Sequence, residues 1–305
     1  MSRLVPRILG GLLLVLAPAV SAQTLGAPTN LEFGEVVVDP SGGSLTLDPA
    51  TGAVTSATGV YPTSALATAS SAIVATDRAG RTANVYTTVS TFTLSGTGGS
   101  FSVSPGPFRT EYAGDAFTFP GTSGTTSQTF HVAGTLPIPA GQAPGDYDGF
   151  LPVFIQDNKG NNSGTANIPI HIRIIAPIAL SNNQDLDMGT VIPGPTVGSV
   201  TLNPGTGAQG LAGGVVYASP TGQPAQFAVT GAPSHNFNIS FGGTPITLTG
   251  PGGTMSLALL ASPSGTSTFS AGGAATLNVG GTLSVGANQA EGDYTGTFTV
   301  TVAYP

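Results

Sequence analysis

Apolar and polar residues alternate with a period of two along much of this chain. The pattern is clearest near the end, where Phe298, Val300, Val302 and Tyr304 fall on one face and Thr297, Thr299 and Thr301 on the other. In the middle, Ile168, Ile170, Ile172 and Ile174 alternate with Pro169, His171 and Arg173. Shorter examples are Ser44–Leu47, Phe101–Val103 and Thr129–Val132. A strand sends successive side chains to opposite faces, so Thr- and Val-rich alternation bounded by Gly and Asn turns predicts half-buried β-strands. No window of helical length carries a clear 3.6-residue period, so the expected class is all-β.

The first residues read differently. Arg3 and Arg7 form a short basic region, Ile8 to Val20 is apolar but broken by Gly10, Gly11 and Pro18, and Val20-Ser21-Ala22 places small residues at a cleavage position. That is the anatomy of a secretory signal peptide over 1–22, with a mature start near Gln23. The run is too short for a membrane span, which needs roughly 20 apolar residues. No later stretch is long enough to span as a helix, so the mature chain is expected in the periplasm, at the cell surface or outside the cell.

The rest repeats itself. Leu31-Glu32-Phe33-Gly34-Glu35-Val36 echoes Leu186-Asp187-Met188-Gly189-Thr190-Val191, and Gly43–Pro49 echoes Gly198–Pro204, both 155 residues apart. Phe130–Leu136 matches Leu277–Leu283, and Gln142–Gly149 matches Gln289–Gly296, both 147 apart. Between these blocks, Phe92–Gly96 resembles Phe227–Gly231, 135 apart, which would give the first copy about twenty extra residues within 62–91. The expected architecture is two tandem antiparallel Ig-like or pilin-like β-sandwiches over 23–175 and 176–305, each of roughly seven to nine short strands. A single outer-membrane barrel is the alternative, disfavoured by the two-unit repeat and the few aromatics.

Charge narrows the partners. The chain has 7 Lys+Arg against 14 Asp+Glu. Once Arg3 and Arg7 leave with the leader, Arg78, Arg81, Arg109, Lys159 and Arg173 are the only cations of that type. So acidic a chain without a basic stripe gains little from a phosphate backbone, which argues against nucleic acid and against anionic membranes. The charged fraction is only 7% and the hydrophobic fraction 40%, so the chain has neither the high charge nor the low hydrophobicity of disordered sequences. Polarity comes from Thr, Ser, Asn and Gln, and Gly 45 with Pro 25 fits many tight turns. Cys is absent, which removes disulfides, thiol catalysis and Cys-based metal sites.

No catalytic constellation is recognisable, no metal set is expected and no cofactor is implied. There is no G-x-S-x-G elbow, and His131, His171 and His235 do not pair at metal-ligand spacing. Asp146 with Asp148, Asp185 with Asp187, and Glu291 with Asp293 could offer oxygen ligands to Ca²⁺, although Asp beside Gly more simply caps turns. The stretch Asp157–Asn162 reads as a hairpin tip. There is no Trp; Tyr61, Tyr86 and Tyr112 are the aromatics a sugar platform could use.

The repeated L-[DE]-[FM]-G-x-[VI], G-x-[LV]-T-L-[DN]-P and G-T-L-x-[VI] blocks, followed by G-x-Y-x-G, resemble a bacterial exported family, domain of unknown function 4402, in two copies. That resemblance implies a domain type and no catalytic residues. A weaker resemblance is to chaperone–usher fimbrial subunits, whose closing strand alternates and carries a penultimate aromatic, as Tyr304 is here, after a Gly such as Gly292. It implies assembly by strand complementation, with Ile168, Ile170, Ile172 and Ile174 completing a sheet of either domain and Phe298, Val300, Val302 and Tyr304 as the terminal-strand contact; the alternative for the isoleucines is an ordinary last strand of the first domain, paired with Leu151–Ile155 across the Asn158–Asn162 turn. It implies other surface or pilus subunits, or a periplasmic chaperone, as partners. The first copy has nothing like the isoleucine strand before Leu31, which would suit the distal end of a fibre. The absent disulfide and the two-domain length depart from those subunits. The expected function is therefore a non-enzymatic structural or adhesive surface protein, with an exported carbohydrate- or ligand-binding module as the alternative.

Overall fold

The computed structural model describes residues 23–87, 89–106, 108–158 and 162–305. The leader expected over 1–22 and Lys159 lie outside the described residues. In chain order the first half forms β1 (Thr24–Leu25), β2 (Leu31–Val38), β3 (Gly43–Leu47), β4 (Val54–Thr58), β5 (Val60–Pro62), β6 (Ser71–Arg78) and β7 (Thr82–Tyr86). It continues with β8 (Phe92–Gly96), β9 (Gly99–Val103), β10 (Phe108–Thr110), β11 (Ala116–Thr118), β12 (Thr125–Ile138), β13 (Gly145–Asp157) and β14 (Asn162–Ile175). The second half forms β15 (Ala179–Gln184), β16 (Asp187–Leu202), β17 (Gln209–Gln223), β18 (Ala225–Thr230) and β19 (Asn236–Gly242). It ends with β20 (Ile246–Gly250), β21 (Gly253–Ser262), β22 (Thr266–Thr268), β23 (Ala274–Val285) and β24 (Thr299–Ala303).

The first half stacks two sheets, as the alternation predicts. One runs β1-β6-β12-β3-β4, and the other β11-β7-β13-β14-β2-β5 with the β8–β9 hairpin beside β13. Inward residues of both, among them Leu31, Phe33, Ile73, Phe130, Leu136, Tyr147 and Leu151, form one core. The second half repeats the first of these sheets as β15-β18-β23-β16-β17 and keeps only β22-β19-β24 of the other as a separate sheet. Its core is built on Val200, Leu202, Phe237, Leu277 and Val279. All-β tandem sandwiches are thus what the chain forms, with one departure from antiparallel pairing: β14 runs parallel to β2.

Strand pairing corrects one sequence equivalence. Ile73 of β6 faces Phe130, and Phe227 of β18 faces Leu277, so Phe227 corresponds to Ile73. Phe92-Thr93-Leu94-Ser95-Gly96 instead corresponds to Ile246-Thr247-Leu248-Thr249-Gly250, each closing a tight hairpin on Gly99 or Gly253. The spacing there is 154, so no twenty-residue excess lies within 62–91. The extra length of the first copy falls between Val103 and Phe130, around the short 3-10 turn Ala113–Asp115. A half-buried strand followed by Gly looks alike wherever it sits, and only its hairpin partner tells the two apart.

Two repeated devices explain why the sequence blocks recur. Gly34 and Gly189 have φ of 75° and 77°, a conformation that suits Gly. In β2 this makes a bulge: His171 pairs with Glu32 and Arg173 with Glu35, leaving Phe33 and Gly34 opposite Ile172 alone. Inward phase therefore moves from Leu31 and Phe33 to Val36. The second device is a tyrosine latch. Tyr147 Oη donates to Ala143 O and accepts from Gln142 Nε2, both at 2.6 Å. Tyr294 does the same with Ala290 O at 2.9 Å and Gln289 Nε2 at 2.8 Å. A Cβ on Gly98 would come within 2.1 Å of Tyr147 Oη, and one on Gly252 within 2.5 Å of Tyr294 Oη, so each latch closes over a glycine.

Tyr147 is fully buried and Tyr294 is not. Tyr147→Phe is expected to cost about 1–2 kcal/mol, because it removes the hydroxyl and leaves Ala143 O and Gln142 Nε2 without it, and Tyr294→Phe clearly less. Urea denaturation of the two variants checks the order.

Candidate functional site

The isoleucine segment lies inside the first sandwich. Ile168 pairs with Leu151, Ile170 with Gly149, Ile172 with Tyr147 and Ile174 with Gly145 across the β13–β14 hairpin. The tip of that hairpin, 159–161, lies outside the described residues. On its other edge β14 pairs with β2, Ile170 with Leu31 and Ile174 with Val36. All four isoleucines are 2% exposed or less. The alternate residues His171 and Arg173 face outward and meet acids. His171 Nδ1 lies 2.9 Å from Glu32 Oε2, and Nε2 lies 3.5 Å from Asp146 Oδ1. Arg173 Nε donates to Asp146 Oδ1 at 2.5 Å. That hydrogen bond is the main reason the Asp146 carboxyl is held below its usual range; burial opposes it, and the Arg173 and His171 charges add to it.

The terminal strand lies at an edge. Among the described residues β24 pairs with β19 alone, Val300 opposite Phe241 and Val302 opposite Ile239. Phe298, Val300, Val302 and Tyr304 face the second core, yet each remains only partly buried.

Tyr304 does more than pack. Its hydroxyl donates to Ala176 O at 2.7 Å and accepts from Ala232 N at 2.6 Å, tying the end of the chain to the connection between the two sandwiches. Beside it stands a cluster that sequence reading did not anticipate. Glu35, 1% exposed, accepts from Thr63 Oγ1 at 2.7 Å, lies 2.9 Å from His235 Nε2, and is 4.0 Å from Arg173. Burial lowers the His235 pKa, but the hydrogen bond to Glu35, the carbonyl of Pro233 and the Glu35 charge together raise it above its usual value, against Arg173. The available signal was Glu35 itself: a carboxylate directly after the bulge glycine, where the second copy has Thr190.

Other polar groups are committed to structure. His131 Nδ1 lies 3.0 Å from Glu111. Asp115 accepts from Thr110 N at 2.7 Å beside a cleft lined by Tyr86, Phe108, Arg109 and Val153. Asp185 accepts from Asn182 and Asp187 from the Gly189 N–H. Among the described residues no three His, Cys, Asp or Glu gather as a metal set. Tyr61 bonds to Asp39, Tyr86 packs on Phe154 and Tyr112 on Phe117, so the three tyrosines serve three different neighbourhoods. No helix of the described residues is long and apolar enough to cross a membrane.

The family model "Domain of unknown function (DUF4402)" matches residues 24–156 and again 178–304. This chain is a tandem DUF4402 protein. Strand β14 lies between the two matched DUF4402 segments and belongs to neither. Among curated proteins, none matches this DUF4402 chain. A solved chain from a chaperone-tip adhesin complex of CFA/I fimbriae biogenesis is similar at 13% identity, covering 92% of this chain and 97% of that one, with a TM-score of 0.24. At that score the superposition supports no statement about this DUF4402 protein.

Ile172→Ala in the first DUF4402 unit is expected to cost about 2–5 kcal/mol, as for other fully buried aliphatic truncations. Val302→Ala, partly exposed on the terminal strand, should cost roughly 1 kcal/mol by the methylenes it buries. Chemical denaturation measures both. The raised His235 pKa gives a second expectation. Its contribution is fully present below the unfolded value of about 6.5 and is lost as pH rises through the higher folded value. The stability lost in His235→Gln should therefore be greater at pH 5.5 than at pH 9. Paired melting curves at the two pH values read that difference.

Proposed function

We propose that this protein is an exported structural or adhesive subunit of the cell surface that works through protein contact, without chemistry on a substrate. The observation that carries this reading is the terminal strand: β24 offers an unpaired edge and a half-buried apolar face on the same segment. Unsatisfied backbone groups beside apolar surface favour strand addition by another chain. The leader pattern ending at Ala22 supports export, and the acidic, Cys-free chain supports a role away from nucleic acid. A fimbria-like partner or a periplasmic chaperone fits such an edge. Among the described residues the polar clusters serve latches, bulges and ion pairs and do not converge as a set for hydrolysis.

Electron microscopy of producing cells labelled with an antibody to the protein tests this reading. Label on the outer surface or on fibres is expected. Label confined to the cytoplasm would reject it.

A further inference from the structure

The two sandwiches differ by one strand, and the difference has a definite place. In the first, the second sheet is continuous: β11-β7-β13-β14-β2-β5. Its second-unit counterparts are β22, β19 and β24 on one side and the starts of β16 and ends of β17 on the other. The correspondence holds residue by residue. Val85 faces Ile155 as Ile239 faces Val302, and Val36 faces Pro62 as Val191 faces Tyr217. Among the described residues no strand lies between β24 and the start of β16, the lane that β14 fills in the first unit. Since β14 falls outside the family match, the unit itself supplies every strand but this one.

Burial records the same gap. Leu31, Val36, Tyr147, Leu151, Val153 and Ile155 line β14 and are 3% exposed or less. Their counterparts Leu186, Val191, Tyr294, Phe298, Val300 and Val302 are all partly exposed. Charge then describes the missing strand. In the first unit, Glu32 and Asp146 flank the lane and are met by His171 and Arg173 of β14. In the second, Asp187 and Asp293 occupy the matching positions, and both are exposed. Residues 176–305 contain no Lys or Arg, so neither carboxylate meets an arginine or lysine there as Asp146 meets Arg173.

We infer that the second unit binds an extended segment of another polypeptide between β24 and the start of β16, antiparallel to β24 and parallel to β16. The segment carries large aliphatic side chains at alternate positions, as Ile168 to Ile174 do, and basic side chains between them, as His171 and Arg173 do. The aliphatic residues would cover Val191, Phe298, Val300 and Val302, and the basic ones would meet Asp187 and Asp293. Main-chain bonds to two edges give affinity, and the alternation gives register. This deepens the surface-subunit reading by naming how a partner attaches.

The probe is a synthetic peptide of residues 165–175 with a solubilising tail, added to the purified full chain. Saturable binding is expected, with slowed amide exchange in Thr299–Ala303 and Asp187–Ile192 and unchanged exchange in β2 and β13. A peptide with His171→Glu and Arg173→Glu should bind about tenfold more weakly. The chain carrying Asp187→Lys and Asp293→Lys, both exposed positions, should reverse that preference. No saturable binding to the folded chain up to on the order of 1 mM overturns the inference, as does protection confined to the first sandwich, which would mean exchange with β14. Concentration-dependent dimers that protect the lane without peptide would assign it to a second copy and also overturn it. Indifference to both charge reversals removes the basic partner. Surface labelling with no peptide binding rejects the lane alone, and binding without surface labelling rejects the surface role alone.

Discussion

Insertion of β14 between β13 and β2 is the interaction on which the first sandwich depends. Four isoleucines reach the core from this one strand, and its two edges satisfy the backbone groups of both neighbours. Without it, the sheet would fall into two pieces and the buried faces of Leu31, Val36, Tyr147 and Leu151 would open to water. The bulge at Gly34 belongs to the same arrangement, because it sets the phase that lets Leu31, Phe33 and Val36 all face inward while Glu32 and Glu35 reach the outer face of β14 and the joint.

Seen this way, the duplication is a repeat of an unfinished unit. The latch around Tyr147 and Tyr294, the bulges at Gly34 and Gly189, and the hydrogen-bonded Thr46–Thr135 and Thr201–Thr282 pairs at 2.9 and 3.0 Å recur in both. What distinguishes the halves is packing: equivalent core positions close fully only where a further strand is laid across them. Few ions are spent on this. Where charges are buried, Glu35 is met by His235 and Thr63, and Asp77 accepts through Oδ1 from the Arg78 N–H at 2.7 Å and from Arg81 at 3.4 Å.

Much of this was legible in the chain. Alternation gave the class, the repeated blocks gave the two units, and the four isoleucines stood out as a strand that buries one face. Register was not legible. The Phe227 strand resembles Phe92–Gly96 in sequence because both alternate and end in Gly, and only hairpin pairing shows that Ile246 is the counterpart of Phe92. Parallel pairing of β14 with β2 was hidden for the same reason, since periodicity carries no information about strand direction. The Glu35–His235 contact joins residues two hundred positions apart and depends on how the sandwiches meet, which no local pattern encodes.

Parallel pairing also decides how the molecule carries force. The N-terminal end of β2 leads back toward Gln23, and the C-terminal end of β14 leads directly through Ala176 into the second sandwich. Tension along the chain therefore pulls these adjacent strands in opposite directions along their length. Their hydrogen bonds are loaded together in shear instead of being unzipped one at a time, and the His171–Glu32 pair bridges the same seam. A strand that finishes a core thus also serves as the clamp through which one half of the molecule hangs from the other.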